Sequence, residues 1–123
     1  MSQDLYQEII LEEFKHPHHQ GIIENADLVL TGGNASCGDQ VKIYLKIQDE
    51  QIIDLKWEGN GCAISQASMS VLSQKIIDEH LSLVQVKAMI KNDMLELLGL
   101  EEITAGREKC LMMGLKTLQK DEN

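Results

Sequence analysis

Large aromatic side chains are nearly missing from this 123-residue chain, which has one Phe, one Trp and two Tyr. Its core must therefore be built from Ile, Leu, Val and Met, and no aromatic platform is available to stack bases or sugars. Basic residues are also short, 11 against 20 acidic ones. A field of that sign repels a phosphate backbone and an anionic membrane surface alike, which argues against a nucleic-acid partner. No apolar run approaches the roughly 20 residues needed to span a bilayer. The opening MSQDLYQE is acidic where a secretory or transit signal is basic, so the expected setting is soluble and cytoplasmic. The three cysteines form no CxxC and are odd in number, which suits a reducing compartment better than a secreted disulfide framework. Repeats, low-complexity tracts and long linkers are lacking too, and a single domain over 1–123 is expected.

What is present reads as strands followed by helices. Asp4 with Gln7 resembles a capping box, and Leu5, Tyr6, Ile9, Ile10 and Phe14 recur at helical spacing, predicting a first helix near 4–15 that Pro17 stops. His16, His18, His19, Gln20 and Gly21 then make a polar connection to an extended stretch, Ala26–Thr31, with Gly32–Ser36 as a loop. Val41, Ile43, Leu45 and Ile47 alternate with Lys42, Tyr44 and Lys46, which predicts a half-buried strand. After a polar turn over 48–51, Ile53, Leu55 and Trp57 alternate with Asp54, Lys56 and Glu58, completing a hairpin that Gly59-Asn60-Gly61 ends.

Beyond Cys62 the pattern turns helical. Ala63, Ile64, Ala67, Val71 and Leu72 share a face, and Ser82 with Gln85 forms a second capping box opening a helix through Val86, Met89 and Ile90 toward Leu98. Thr104 caps a last helix whose stripe is Cys110, Leu111, Gly114, Leu115 and Leu118. The expected fold is α+β, a three-stranded antiparallel sheet with its apolar face covered by helices.

Each cysteine stands at a joint between elements, and joints can converge. Cys62 opens a helix, where the macrodipole and free N–H groups stabilise thiolate. Asp39 follows Cys37 by two residues with Gly38 between, so both side chains can reach one atom. Cys37, Asp39, Cys62 and Cys110 would together offer three sulfurs and one oxygen, a set compatible with zinc and, through its thiolates, with iron-sulfur chemistry. The plainer reading is that cysteine is often just a small core residue. Cys110, on an apolar stripe, fits that reading; Cys37, in a polar loop, does not. The clustered His16, His18 and His19 more often mark a solvated loop than a metal site, and His80 suits a cation at a helix C-terminus. The glycine-rich GGNASCGD stretch lacks the ending of a phosphate loop and precedes a strand.

These features resemble the U-type iron-sulfur scaffold family, with its IscU, SufU and NifU N-terminal groups. The likeness runs through LYQEIILEEFKHPHHQG, NASCGDQVKIYLKI, WEGNGCAISQASMSVL and REKCLMMGLKTLQ, which is most of the chain. It implies an α+β fold (SufE/NifU-like) with metal-binding positions at Cys37, Asp39, Cys62 and Cys110. It also implies zinc or a [2Fe-2S] cluster as cofactor, with Cys37 and Cys110 as candidate sulfur acceptors. The partners implied are a pyridoxal-phosphate cysteine desulfurase that delivers persulfide sulfur and apo iron-sulfur proteins that receive the product. Two departures stand out. Lys109 precedes Cys110 where the IscU branch has histidine, and Glu-Ile-Thr-Ala-Gly-Arg-Glu over 102–108 replaces the proline-bearing segment that the dedicated IscU chaperone grips. The Cys62–Cys110 stretch is also too short for the insertion usual in SufU proteins, so the chain stands between the branches. A structural zinc site is a further alternative, disfavoured by the carboxylate at Asp39.

Overall fold

In the computed structural model, residues 3–34 and 38–120 are described; the side chains of residues 3–7 and 34 are not, and the Asp4–Gln7 capping box lies among these. The elements run α1 (Gln3–Lys15), β1 (Leu28–Asn34), β2 (Asp39–Gln48), β3 (Gln51–Asn60), α2 (Ala63–Asp78), α3 (Leu83–Lys87), α4 (Lys91–Leu98) and α5 (Ala105–Leu118). The strands form one antiparallel sheet in the order β1-β2-β3. The α+β architecture expected from the sequence is thus present. No helix among the described residues is long and apolar enough to cross a membrane.

Val41, Ile43 and Leu45 of β2 join Ile52, Leu55 and Trp57 of β3 in one buried cluster. Met69, Leu72 and Ile76 of α2 pack into it, with Met94 and Leu98 of α4 and Leu111, Leu115 and Leu118 of α5. Helix α2 lies against β3, α5 against β1 and β2, and α1 against α2. Aliphatic and thioether side chains fill the interior around the single tryptophan, as the scarcity of rings requires.

Several expectations are corrected. Strand β1 runs on through Gly32, Gly33 and Asn34, pairing Asn34 with Asp39, so those residues are not loop; residues 35–37 lie outside the described ones. Ile53 does not face the core. The β2–β3 register shifts between Lys46 and Ile47, with Lys46 opposite Asp54 and Ile47 opposite Ile52, so Ile53 is the extra residue of a bulge. It turns to solvent at 50% exposure while Ile52 is fully buried. Asp49 and Glu50, which connect the two strands, both have positive φ (52° and 70°), the signature of a tight two-residue hairpin turn.

Tyr44 points to the outer face as its parity requires, yet it is buried there. Its hydroxyl donates to Glu58 Oε1 at 2.9 Å, and Lys42 Nζ lies 5.6 Å from the ring centre. The helix expected from Ser82 to Leu98 is two helices. The Ser82–Gln85 capping box opens α3, the chain leaves helical geometry near Ile90, and Asp93 Oδ2 accepts from the Ile90 N–H at 2.8 Å to start α4 afresh.

The histidine segment is not simply solvated. The His18 N–H donates to Ser70 Oγ (2.7 Å), the His18 carbonyl accepts from Trp57 Nε1 (2.8 Å) and Ser73 Oγ (3.2 Å), and His18 Nδ1 lies 2.9 Å from Glu13 Oε1. His19 and Gly21 bond to either side of the Trp57 backbone and so cover part of the outer edge of β3. His80 adopts φ 53° just past α2, where the Leu81 N–H closes back on the Ile76 carbonyl at 3.1 Å; a left-handed residue there ends the helix.

Candidate metal centre

Three chain segments meet at one end of the sheet. β2 begins at Asp39, β3 ends at Asn60 opposite Gln40, and the chain turns through Gly61 and Cys62 into α2. Cys62 is the residue before the first helical position of α2, with extended backbone (φ −70°, ψ 170°), and the first turn carries no acidic side chain of its own. The first turns of α5 complete the end wall, with Cys110 facing inward.

Asp39, Cys62 and Cys110 each offer a ligand atom here, and these atoms lie within 4.8 Å of one another. Asp39 and Cys110 are buried and Cys62 is half-buried. Gly38, Gly61, Thr104, Gly106 and Arg107 line the same open pocket, of about 690 Å³. Cys37 lies outside the described residues. No second group of three or more His, Cys, Asp or Glu side chains positioned to hold a metal ion occurs among the described residues, so His16, His18 and His19 form no such centre.

Ser65 joins two of the three ligands. Its hydroxyl donates to Asp39 Oδ2 at 2.5 Å and lies 3.5 Å from Cys62 Sγ. A Cβ on residue 61 would stand 3.0 Å from Asp39 Cγ and 3.1 Å from Ser65 Cβ, so glycine there lets the chain pass close over the bonded pair. Gly61 is itself tied down, its carbonyl accepting from Gln66 Nε2 at 3.0 Å.

The two thiols are poised differently. Burial pushes the Cys62 thiol up, but hydrogen bonds from the Ser65 side chain and backbone, from Cys110 and from the Ile64 backbone outweigh it, leaving the pKa below the ordinary thiol value. For Cys110, burial acts together with its hydrogen bond to Cys62 and with the nearby charges of Cys62 and Asp39, and the pKa is pushed up to about 11. One thiol is thus readied for ionisation and its neighbour holds its proton.

The donor set fits a thiophilic ion. Around a tetrahedral zinc, sulfur and oxygen ligands at roughly 2.3 and 2.0 Å lie about 3.5–3.8 Å apart. The three ligand atoms here, all within 4.8 Å of one another, need close in by no more than small side-chain adjustments to reach that spacing. Asp39, Cys62 and Cys110 would be its ligands, and such an ion would hold the thiols deprotonated.

Reading the sequence alone missed Ser65 and Arg107. Both had a signal in helical spacing: Ser65 stands three residues after Cys62 and Arg107 three before Cys110, which puts each on its cysteine's side of the helix.

Comparison with known proteins agrees with this architecture. The chain is 33% identical to the iron-sulfur cluster assembly scaffold protein IscU of Thermotoga maritima, over 94% of this chain and 91% of that one. It is 29% identical to the zinc-dependent sulfurtransferase SufU of Bacillus subtilis, over 94% and 88%. The crystal structure of FiSufU from Fervidobacterium islandicum superposes with a TM-score of 0.77 at 34% identity, covering 97% of each chain. The profile of the NifU-like N-terminal domain matches residues 5–121, and the chain belongs to that family.

Proposed function

We propose that this protein is an iron-sulfur cluster assembly scaffold that accepts persulfide sulfur from a pyridoxal-phosphate cysteine desulfurase and builds or relays a [2Fe-2S] cluster. The observation that carries this reading is the convergence of Asp39, Cys62 and Cys110 on one open pocket in a chain of this family. Cys37 is the proposed fourth member, two residues before Asp39 in the β1–β2 connection. Sulfur uptake is a thiolate attack on the terminal sulfur of the desulfurase persulfide: a new S–S bond forms, the old one breaks, and the desulfurase thiolate leaves. Cys37 and Cys110 are the proposed acceptors. In the folded protein Cys110 needs help to ionise, which a bound metal supplies. The cluster is cargo, destined for apo iron-sulfur proteins, and a site of mixed hardness suits release because carboxylate is its least thiophilic ligand.

A second reading, zinc-dependent sulfur transfer of the SufU kind, is favoured by the donor geometry and by the likeness to the Bacillus subtilis protein. Anaerobic purification with metal analysis and visible absorption separates the two, since an iron-sulfide chromophore marks the scaffold and a colourless zinc protein marks the relay. In either case Cys37→Ser, Cys62→Ser and Cys110→Ser are expected to lose metal and to end sulfur uptake from the desulfurase. Unchanged metal content and uptake in all three would overturn both readings.

A further inference from the structure

Ser65 is almost wholly buried in the first turn of α2 and has one proton to give. Two acceptors compete for it. Asp39 Oδ2 at 2.5 Å is at the distance of a short, charge-assisted bond, whereas Cys62 Sγ is 3.5 Å away. The carboxylate is therefore the principal acceptor, and Cys62 Sγ makes only the longer, secondary contact with the same hydroxyl. Gly61 packs over the pair so closely that a Cβ there would stand 3.0 Å from Asp39 Cγ and 3.1 Å from Ser65 Cβ. Asp39 is buried, and its carboxylate would otherwise be free to rotate in a polar pocket.

We infer that Ser65 is a positioning residue for the metal centre: by engaging one oxygen of Asp39, its hydroxyl fixes the carboxylate and leaves the second oxygen as a single-point ligand beside Cys62 and Cys110. This rests on the metal-site reading above. A carboxylate held through one oxygen fills a single coordination position, while a freely rotating one exchanges between one- and two-point binding and holds a small ion less well. Outer hydrogen bonds of this kind tune ligand groups as strongly as many direct contacts do.

The test is a cycle of four proteins: wild type, Ser65→Ala, Asp39→Ala and the double variant. Zinc affinity is measured by competition with a chromophoric chelator, and coordination by the ligand-field bands of the cobalt-loaded forms. Ser65→Ala is expected to weaken zinc binding by about tenfold and to shift the cobalt bands. In the Asp39→Ala background the same change should move affinity less than about twofold, because Ser65 acts through a carboxylate no longer present. Equal weakening in both backgrounds, or a lowered melting temperature with affinity and cobalt bands unmoved, would overturn the inference and leave Ser65 as a packing residue. A wild type that binds neither zinc nor cobalt would overturn the metal-site reading and this inference with it. If Ser65→Ala does not fold, the near-isosteric pair Ser65→Thr and Ser65→Val carries the same comparison, with wild-type behaviour expected only for threonine.

Discussion

Gly114 of α5 faces Met69 of α2 so closely that a Cβ on the glycine would stand 2.6 Å from the methionine sulfur. Met69 is fully buried, two helical turns beyond Cys62, and Gly114 lies about one turn beyond Cys110. The two helices that carry the sulfur ligands are therefore drawn together by the absence of a side chain.

Gly114→Ala should consequently disturb the site as well as the core. Overpacking of this kind costs about 1–3 kcal/mol, moderated here because a thioether can give way. Thermal denaturation and zinc affinity measured together should both fall. A loss of stability with full zinc affinity would show that the separation of Cys62 from Cys110 is set elsewhere.

Periodicity made the sheet legible, and Ser82 and Thr104 marked where α3 and α5 begin, because both are local signals. The β3 bulge was not. Strict alternation assigns Ile53 to the core with Leu55 and Trp57, but one extra residue between Lys46 and Ile47's partners reverses the parity beyond it. Nothing local in Gln51-Ile52-Ile53-Asp54 says which isoleucine faces inward. That depends on pairing with β2 and on the Ile52 N–H donating to the Leu81 carbonyl across the chain.

The bulge gives a sharp contrast between neighbours. Ile52→Ala, at a fully buried position, should cost about 2–5 kcal/mol. Ile53→Ala, half-exposed, should stay within about 0.5 kcal/mol. Chemical denaturation of the two variants checks this, and equal losses would place the bulge elsewhere.

The site was legible for a different reason. Cysteines at element joints point to convergence, but the sequence does not say how tight it is. Ser65 and Arg107 escaped because the motif draws the eye to the ligands and not to the residues one helical turn away. The anchoring of His18 escaped likewise, since its partners Ser70 and Ser73 lie 52 and 55 residues further along.

Ser70 is the hub of that anchor. It is fully buried, accepts the His18 N–H, and donates to Glu13 Oε1 at 2.7 Å. Ser70→Ala leaves the half-buried His18 N–H without its acceptor and the Glu13 carboxylate short of a donor, so about 1–3 kcal/mol should be lost. Trp57 is the only tryptophan and its indole N–H is held by the His18 carbonyl, which makes its fluorescence a direct reporter. The variant should melt earlier with its native emission shifted to the red. An unshifted spectrum would show that the His18 segment stays docked without Ser70.

The opposite poise of the two thiols sets the order in which the metal-free protein reacts. Thiolate is the nucleophile, so alkylation follows ionisation and access. The Cys62 pKa lies below the ordinary thiol range, whereas that of Cys110 is about 11, so at pH 8 only about one Cys110 side chain in a thousand is ionised. In a Cys37→Ser background, iodoacetamide with peptide mapping should label Cys62 first. Cys110 should become reactive only as the pH climbs toward 11, with its 4% exposure slowing it further. The same shift bears on stability. The unfolded chain ionises Cys110 near the ordinary thiol value and the folded chain only near 11, so this contribution is complete below the first limit and lost as pH rises through the second. Cys62 works the other way, favouring the folded state once its thiolate forms. Zinc should abolish labelling at both positions. If Cys110 is modified first at neutral pH, the assignment of the readier nucleophile to the N-terminus of α2 is wrong.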